Sequence, residues 1–346
     1  MIAVRARIAT ALLGVVASAS VVHAEAPKLT VLSRPQGKTV DFKTMHTARF
    51  KHQSAFSRDM FVRYAKGRPG TVGLVLLHGN GAESRLYQGI ANAAIRAGVP
   101  LVLPDLPGQG QSDEGREVRL ADFPYAVREL IEATRAEGIL DDYRLAGHSL
   151  GAITAVDTAG WFDAHLKGLD LIDPPVSSDA IVEHYAGRAG RLGAFGGLVQ
   201  SMMQFGARQF VAPKALRRAI VERSRLWGDP TDDATVDRKL EVALSLYDQW
   251  ENGMYDLKTF HHMGSPGNQL PIRLYSAGRS IQPRALAENV VTHWQRAGRQ
   301  AELVRIGRPG KPIDHNTQGT APTLEDVDHL SILDHPNLLG PLVKRP

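Results

Sequence analysis

The stretch Arg144-Leu145-Ala146-Gly147-His148-Ser149-Leu150-Gly151-Ala152 constrains the fold more than any other part of the chain. A strand-like apolar run passes straight into a helical pattern, and a serine stands at the junction. Such a turn is so tight that the residues two before and two after the serine must lack bulk, and here both are glycine. The geometry lifts the Ser149 hydroxyl clear of a sheet and sets it at a helix N-terminus, where partial positive charge favours an anionic intermediate. Ser149 is therefore the candidate nucleophile.

The surrounding texture tells what sheet this strand joins. Short apolar runs at Val72 to Leu77, Val99 to Leu103, Tyr143 to Ala146, Leu169 to Ile172, Ile272 to Tyr275 and Leu303 to Ile306 read as buried parallel strands. Between them lie helical patterns, such as Leu120, Phe123, Val127, Leu130, Ile131 and Thr134, spaced by three and four and stopped by Gly138. This alternation predicts an α/β fold, a mostly parallel sheet covered by helices on both faces. Ahead of it, His46 to Lys66 carries an opening antiparallel pair, with Ser57-Arg58-Asp59 as its turn. The alternation breaks once, over about 177–264, where the pattern is helical. An insertion of that length predicts a cap over the site, with apolar Leu198, Met202, Met203, Phe205 and Phe210 either lining a pocket or packing the cap onto the core.

At the N-terminus Arg5 and Arg7 precede an apolar run from Ile8 to Val22 that closes on small residues around Ala24. That is the layout of a secretory signal peptide, and the run is shorter than the roughly 20 residues a spanning helix needs. The expected organisation is a signal peptide over 1–24, core over 25–176, helical cap over 177–264 and core over 265–346, with export as the consequence and no stable membrane span after cleavage. The chain has no cysteine, so neither disulfides nor thiol lipidation enter the reckoning. A formal charge of +5, with basic residues scattered among nearly as many acids, reads as an ordinary solvated surface and not as a nucleic-acid module.

Two further blocks accompany the serine. Upstream, Leu74-Val75-Leu76-Leu77-His78-Gly79-Asn80-Gly81 is a strand ending in a glycine-rich turn that can aim a backbone N–H into the site. With the N–H of Leu150, that of Asn80 would form a two-donor oxyanion hole. Between the motifs stands Pro104-Asp105-Leu106-Pro107-Gly108-Gln109-Gly110-Gln111-Ser112-Asp113, a strand end and a constrained loop. In this order the three blocks closely resemble the α/β-hydrolase superfamily, in particular its lysophospholipase, monoacylglycerol-lipase and carboxylesterase-like branch. The resemblance is strong from Val72 to about Ala159 and looser from Leu270 onward. It implies that 78–81 is the oxyanion loop and 105–113 a structural loop.

A serine needs a base to take its proton, and in this chain order a histidine must follow. Val327-Asp328-His329-Leu330-Ser331 resembles the family's C-terminal histidine loop, which makes His329 the candidate and His315 its rival. For His261, His262 and His335 the expected role is packing or surface. The acid is where this sequence departs from the family. Most relatives carry an aspartate after the seventh strand of their pattern, but here that region reads Ser276-Ala277-Gly278-Arg279-Ser280-Ile281-Gln282-Pro283. No aspartate occurs between Asp256 and Asp314, while Glu288 and Glu302 fall inside a predicted helix and strand. Some relatives draw the acid from the end of the sixth strand, where Asp173 stands. Asp173, Asp314, Asp328, or a serine–histidine pair without an acid, all remain open.

These residues predict hydrolysis of a hydrophobic acyl ester, a small-molecule substrate, through an acyl-enzyme. The absence of a metal-ligand spacing or a dinucleotide fingerprint points to catalysis without a cofactor. The other class is a binding protein that keeps the fold with an incomplete triad.

Overall fold

The apolar runs are strands, and they join one sheet. The computed structural model describes residues 28–34, 41–51, 59–112, 118–160, 164–175, 212–252, 270–280, 284–310, 327–329, 331–334 and 336–343. The expected signal peptide, residues 177–211 and 253–264 of the expected cap, and Asp314, His315 and His335 lie outside them, as do His261 and His262 within the second of those stretches. Strands β1 (Leu29–Ser33), β2 (His46–Lys51) and β3 (Asp59–Ala65) open the chain as antiparallel neighbours. Asp59, expected in a turn, is already the first residue of β3. Then follow β4 (Gly73–Leu77), β5 (Leu101–Pro104), β6 (Tyr143–His148), β7 (Leu166–Ile172), β8 (Ile272–Ala277) and β9 (Ala301–Ile306). The order is β1-β2-β3-β5-β4-β6-β7-β8-β9, with every pair from β5 to β9 parallel.

A parallel strand is buried on both faces, which is why β4 reads as an unbroken apolar run and all five of its residues are buried. Its alternate side chains enter two cores. Val75 and Leu77 pack on one face with helices α2 (Phe123–Ala136), α3 (Leu150–Ala159) and α6 (Arg284–Arg296). Leu74 and Leu76 pack on the other with α1 (Gln88–Ala97) and α7 (Pro336–Val343). In α2 the predicted face is the buried one: Phe123, Val127, Leu130, Ile131 and Thr134 all point inward, and Gly138 ends the helix in a left-handed turn at φ 63°.

Between β7 and β8 the described part of the insertion is two helices, α4 (Ala212–Trp227) and α5 (Asp233–Asn252). Gly228, at φ 71°, breaks them apart, and the Asp232 side chain caps α5 by accepting from the Thr235 N–H at 3.0 Å. The pair is fastened to loops at the carboxyl end of the sheet. Arg85, after β4, forks onto Asp229 while also pairing with Glu83. Gln249 of α5 accepts from the Leu120 N–H and donates to the Val118 carbonyl, both at 2.7 Å. Among the described residues no helix is long and apolar enough to cross a membrane.

Candidate active site

The end of β6 forms a sharp elbow. Ser149 has φ 53° and ψ −124°, and α3 starts at the next residue. The glycines around it are required by contact. A Cβ on Gly147 would lie 2.1 Å from the Gly151 carbonyl oxygen, and one on Gly151 would lie 2.4 Å from that of Leu77. Gly79 crosses directly over the serine, where a Cβ would come within 2.9 Å of the Ser149 Cβ. Only two non-glycine residues among those described have positive φ: Ser149 and Asp173, at 43°. They end the adjacent strands β6 and β7, and the Ser149 N–H donates to the Ile172 carbonyl at 3.0 Å. Strain of this kind costs roughly 1–3 kcal/mol per residue and persists only where surrounding structure imposes it.

The loop over the serine is held from below by buried histidines. His78 Nδ1–H donates to the Gly79 carbonyl and Nε2 accepts from the Leu106 N–H, both at 2.8 Å. This fixes one neutral tautomer, and burial pushes the imidazole down to about 4. The Gly79 N–H donates to the Tyr87 hydroxyl at 3.2 Å, and the Gly81 N–H to the Gln109 side-chain oxygen at 2.7 Å. Among the described residues none accepts from the Asn80 N–H between them. The Leu150 N–H heads α3, where a helix offers no carbonyl partner. Neither of the two amides expected as oxyanion donors thus has an acceptor among the described residues.

His148, inside the elbow, joins this loop to the C-terminal histidine. Its Nε2–H donates to the His329 carbonyl at 2.8 Å, so Nδ1 accepts from the Tyr87 hydroxyl at 3.2 Å. Burial, reinforced by His329, holds His148 well below the ordinary histidine range and therefore neutral. The rings of His148 and His329 lie 4.5 Å apart.

His329 meets its carboxylate in Asp173. His329 Nδ1–H donates to Asp173 Oδ2 at 2.6 Å, and the Asp173 side chain is buried. The same carboxylate accepts from the Ala277 N–H at 3.1 Å and from the Ser280 hydroxyl at 2.5 Å. The segment that lacks the family's usual acid therefore supplies two donors to the Asp173 carboxylate. It is drawn tight by Gly278, where a Cβ would lie 2.4 Å from the Arg308 carbonyl oxygen, and by the Arg279 N–H donating to the Val327 carbonyl at 2.7 Å. That last bond brings the segment bearing His329 alongside. Asp328 is fully buried, but the carboxylate on His329 Nδ1 is that of Asp173.

The Ser149 hydroxyl has no hydrogen-bond partner among the described residues. His329 and Asp173 are each tied to its immediate neighbours, through His148 and Ile172. Ser280, Tyr87 and His148 were not singled out by the motifs. Ser280 had a signal, since a hydroxyl in a loop missing its acid is a natural donor to one from elsewhere. Tyr87 had none. In a cluster at the opposite end of β6 and β7, Asp141 is exposed and Asp142 and His165 are half-buried, and the Lys167 ammonium, 3.2 Å from Asp142, already neutralises part of its charge.

A serine on a strained strand-to-helix turn, under a glycine loop, in a parallel sheet with an antiparallel leading edge, defines an α/β-hydrolase. The chain belongs to the alpha/beta hydrolase family, whose model matches residues 74–339. Over 124 residues it is 32% identical to monoglyceride lipase of Homo sapiens, a match that takes in 34% of this chain and 40% of that protein, so less than half of the relative's length is spanned. Among solved structures, an alpha/beta hydrolase enzyme from a Medee basin deep-sea metagenome superposes with a TM-score of 0.53 at 16% identity, covering 85% of this chain and 95% of that one. A candidate lipase of Acinetobacter baumannii AYE gives 0.51 at 15% identity, covering 88% and 94%. At such identities the likeness is one of fold.

Proposed function

We propose that this hydrolase cleaves carboxylic esters with an apolar acyl part by serine catalysis, using Ser149, His329 and Asp173. The observation that carries the reading is the 2.6 Å bond from His329 Nδ1–H to buried Asp173. It leaves Nε2 as the proton acceptor that a serine nucleophile requires. Ser149 Oγ attacks the acyl carbon, its proton passes to His329 Nε2, and the carbonyl π pair moves onto oxygen. The N–H groups of Asn80 and Leu150 receive that oxyanion. Collapse of the intermediate expels the alcohol, which takes the proton from His329. Water then attacks the acyl-enzyme with the same base and releases the acid. A non-catalytic role rested on the missing acid after β8, and in this reading Asp173 fills that need.

An active-site fluorophosphonate should label the purified protein and fail to label Ser149→Ala; absence of labelling in both would overturn the reading. A panel of p-nitrophenyl esters from acetate to palmitate, with a monoacylglycerol and a lysophospholipid, then identifies the substrate. The monoacylglycerol is included because the relative of partial length is named for such a lipid. We also propose that the chain is exported and cleaved after Ala24, as the run from Ile8 to Val22 supports. Expression of the full chain in a Gram-negative host, followed by fractionation and N-terminal sequencing, tests this; an uncleaved protein in the cytoplasm would refute it.

A further inference from the structure

The loop over the serine has a partner on the insertion. Arg223 of α4 donates from Nη1 to the Gly81 carbonyl at 2.7 Å. On the other side of the loop, Asn80 Nδ2 donates to the Ala243 carbonyl of α5 at 2.7 Å. The bond to Gly81 does more than attach a helix. The peptide that carries the Gly81 oxygen also carries the Ala82 N–H, and this N–H donates to the Gly79 carbonyl at 3.2 Å. The peptide that carries the Gly79 oxygen in turn carries the Asn80 N–H. The guanidinium is thus the first donor in a chain of two peptide groups whose last donor is the Asn80 N–H, next to the glycine that crosses Ser149.

Chains of hydrogen bonds polarise one another, and a charged first donor strengthens every later one. Arginine suits this place because its guanidinium stays protonated even when partly desolvated. Burial foremost lowers His78 and His148 and raises Tyr87 beneath the loop, and the Arg223 charge adds to the first two shifts and opposes the third.

We propose that Arg223 is a positioning residue for the oxyanion hole: through the Gly81–Ala82 and Gly79–Asn80 peptides it fixes and polarises the Asn80 N–H. The insertion thereby takes part in turnover without touching the substrate. This rests on the serine-ester reading above, and the test separates the two.

Arg223→Lys, Arg223→Gln and Arg223→Met are compared with the wild type on p-nitrophenyl butyrate and for affinity to an aryl trifluoromethyl ketone. That ketone captures the serine as a hemiketal: the Ser149 Oγ–carbon bond forms, the serine proton passes to His329, and the carbonyl pair becomes an oxyanion. Removing an oxyanion donor costs on the order of 100-fold or more, so weakening one should cost about 10-fold or more in kcat. The expected order is wild type, Lys, Gln, Met, with KM nearly constant and ketone affinity falling in proportion to kcat. Thermal melts establish that each variant is folded; should Gln and Met not fold, the Lys variant must still show the parallel fall in kcat and ketone affinity. Wild-type kcat and ketone affinity in a folded variant would overturn the proposal, as would a fall in kcat with ketone affinity unchanged. A wild type inert to both ester and fluorophosphonate would instead overturn the serine-ester reading beneath it.

Discussion

At the scale of single residues, the carboxylate of Asp173 has three donors, and their removal should have graded effects. Asp173→Asn reverses the polarity toward His329 Nδ1 and stabilises the wrong imidazole tautomer. Turnover should fall at least about a hundredfold, toward the four orders of magnitude such a change can cost. Ser280→Ala deletes one charge-assisted hydrogen bond, worth roughly 1.5–3 kcal/mol, and should lower kcat by about tenfold or more with the fold intact. Steady-state kinetics check both, and a Ser280→Ala enzyme indistinguishable from the parent would show that the hydroxyl merely fills space. Much of this geometry was legible in the chain. Ser149, Gly147 and Gly151 announce themselves because a tight turn excludes side chains. Asp173 was only one of several candidates, since an aspartate before proline at a strand end is also an ordinary turn residue. What separates it from Asp328 is three-dimensional: a positive φ and a convergence of donors from residues 277, 280 and 329, none of which has a periodic signature.

Among elements, the loop after β4 is where pH should be felt. Both nitrogens of His78 are engaged and its imidazole is neutral, held down at about 4 by burial. Unfolding returns it to the ordinary value near 6.5. Between those two values the unfolded chain binds the extra proton, so the folded state gains stability as pH rises through this window. The contribution is complete above about 6.5 and is lost as pH falls toward about 4, an effect on the order of 3 kcal/mol from this residue. Urea titrations of the wild type and His78→Asn across that range should show a steeper pH dependence in the wild type; parallel curves would contradict the account. The strands themselves were readable because buried parallel strands are continuous apolar runs. The buried charge of β7, Asp170, is fully enclosed and bridges Arg144 of β6 and Arg273 of β8, each at 2.7 Å. Its partners lie 26 and 103 residues away, so no local pattern could have paired them.

For the whole molecule, the question is how firmly the insertion holds to the core. Arg85 lies over the Trp227 ring at 4.7 Å and forks onto Asp229, which follows α4. Arg85→Gln should release α4 and α5 while sparing the sheet. Breaking a partly buried ion pair costs up to about 3–5 kcal/mol, so amide exchange in residues 212–252 should speed at least about tenfold, with the β4 and β6 amides unchanged. Hydrogen exchange read by mass spectrometry resolves the two regions, and uniform exchange would mean the fork does not hold them. From sequence, the helical character of this insertion was evident, whereas the break at Gly228 that separates α4 from α5 was not. Nor was their docking, because it depends on a few side chains reaching loops more than a hundred residues distant.

The left-handed backbone of Ser149 carries a further meaning. Its hydroxyl is bonded to nothing among the described residues, so the serine adds no contact that its loss would leave unsatisfied. Glycine at this position would relax the turn at the cost of a looser unfolded chain, whereas alanine would keep the full distortion. Ser149→Gly should therefore melt higher than Ser149→Ala by about 1 kcal/mol of stability, with both inactive. A reversed order would show that the turn is unstrained. On the proposed mechanism, selection for heat resistance alone would wear away the nucleophile, and an engineer hardening this scaffold should screen for turnover at every round.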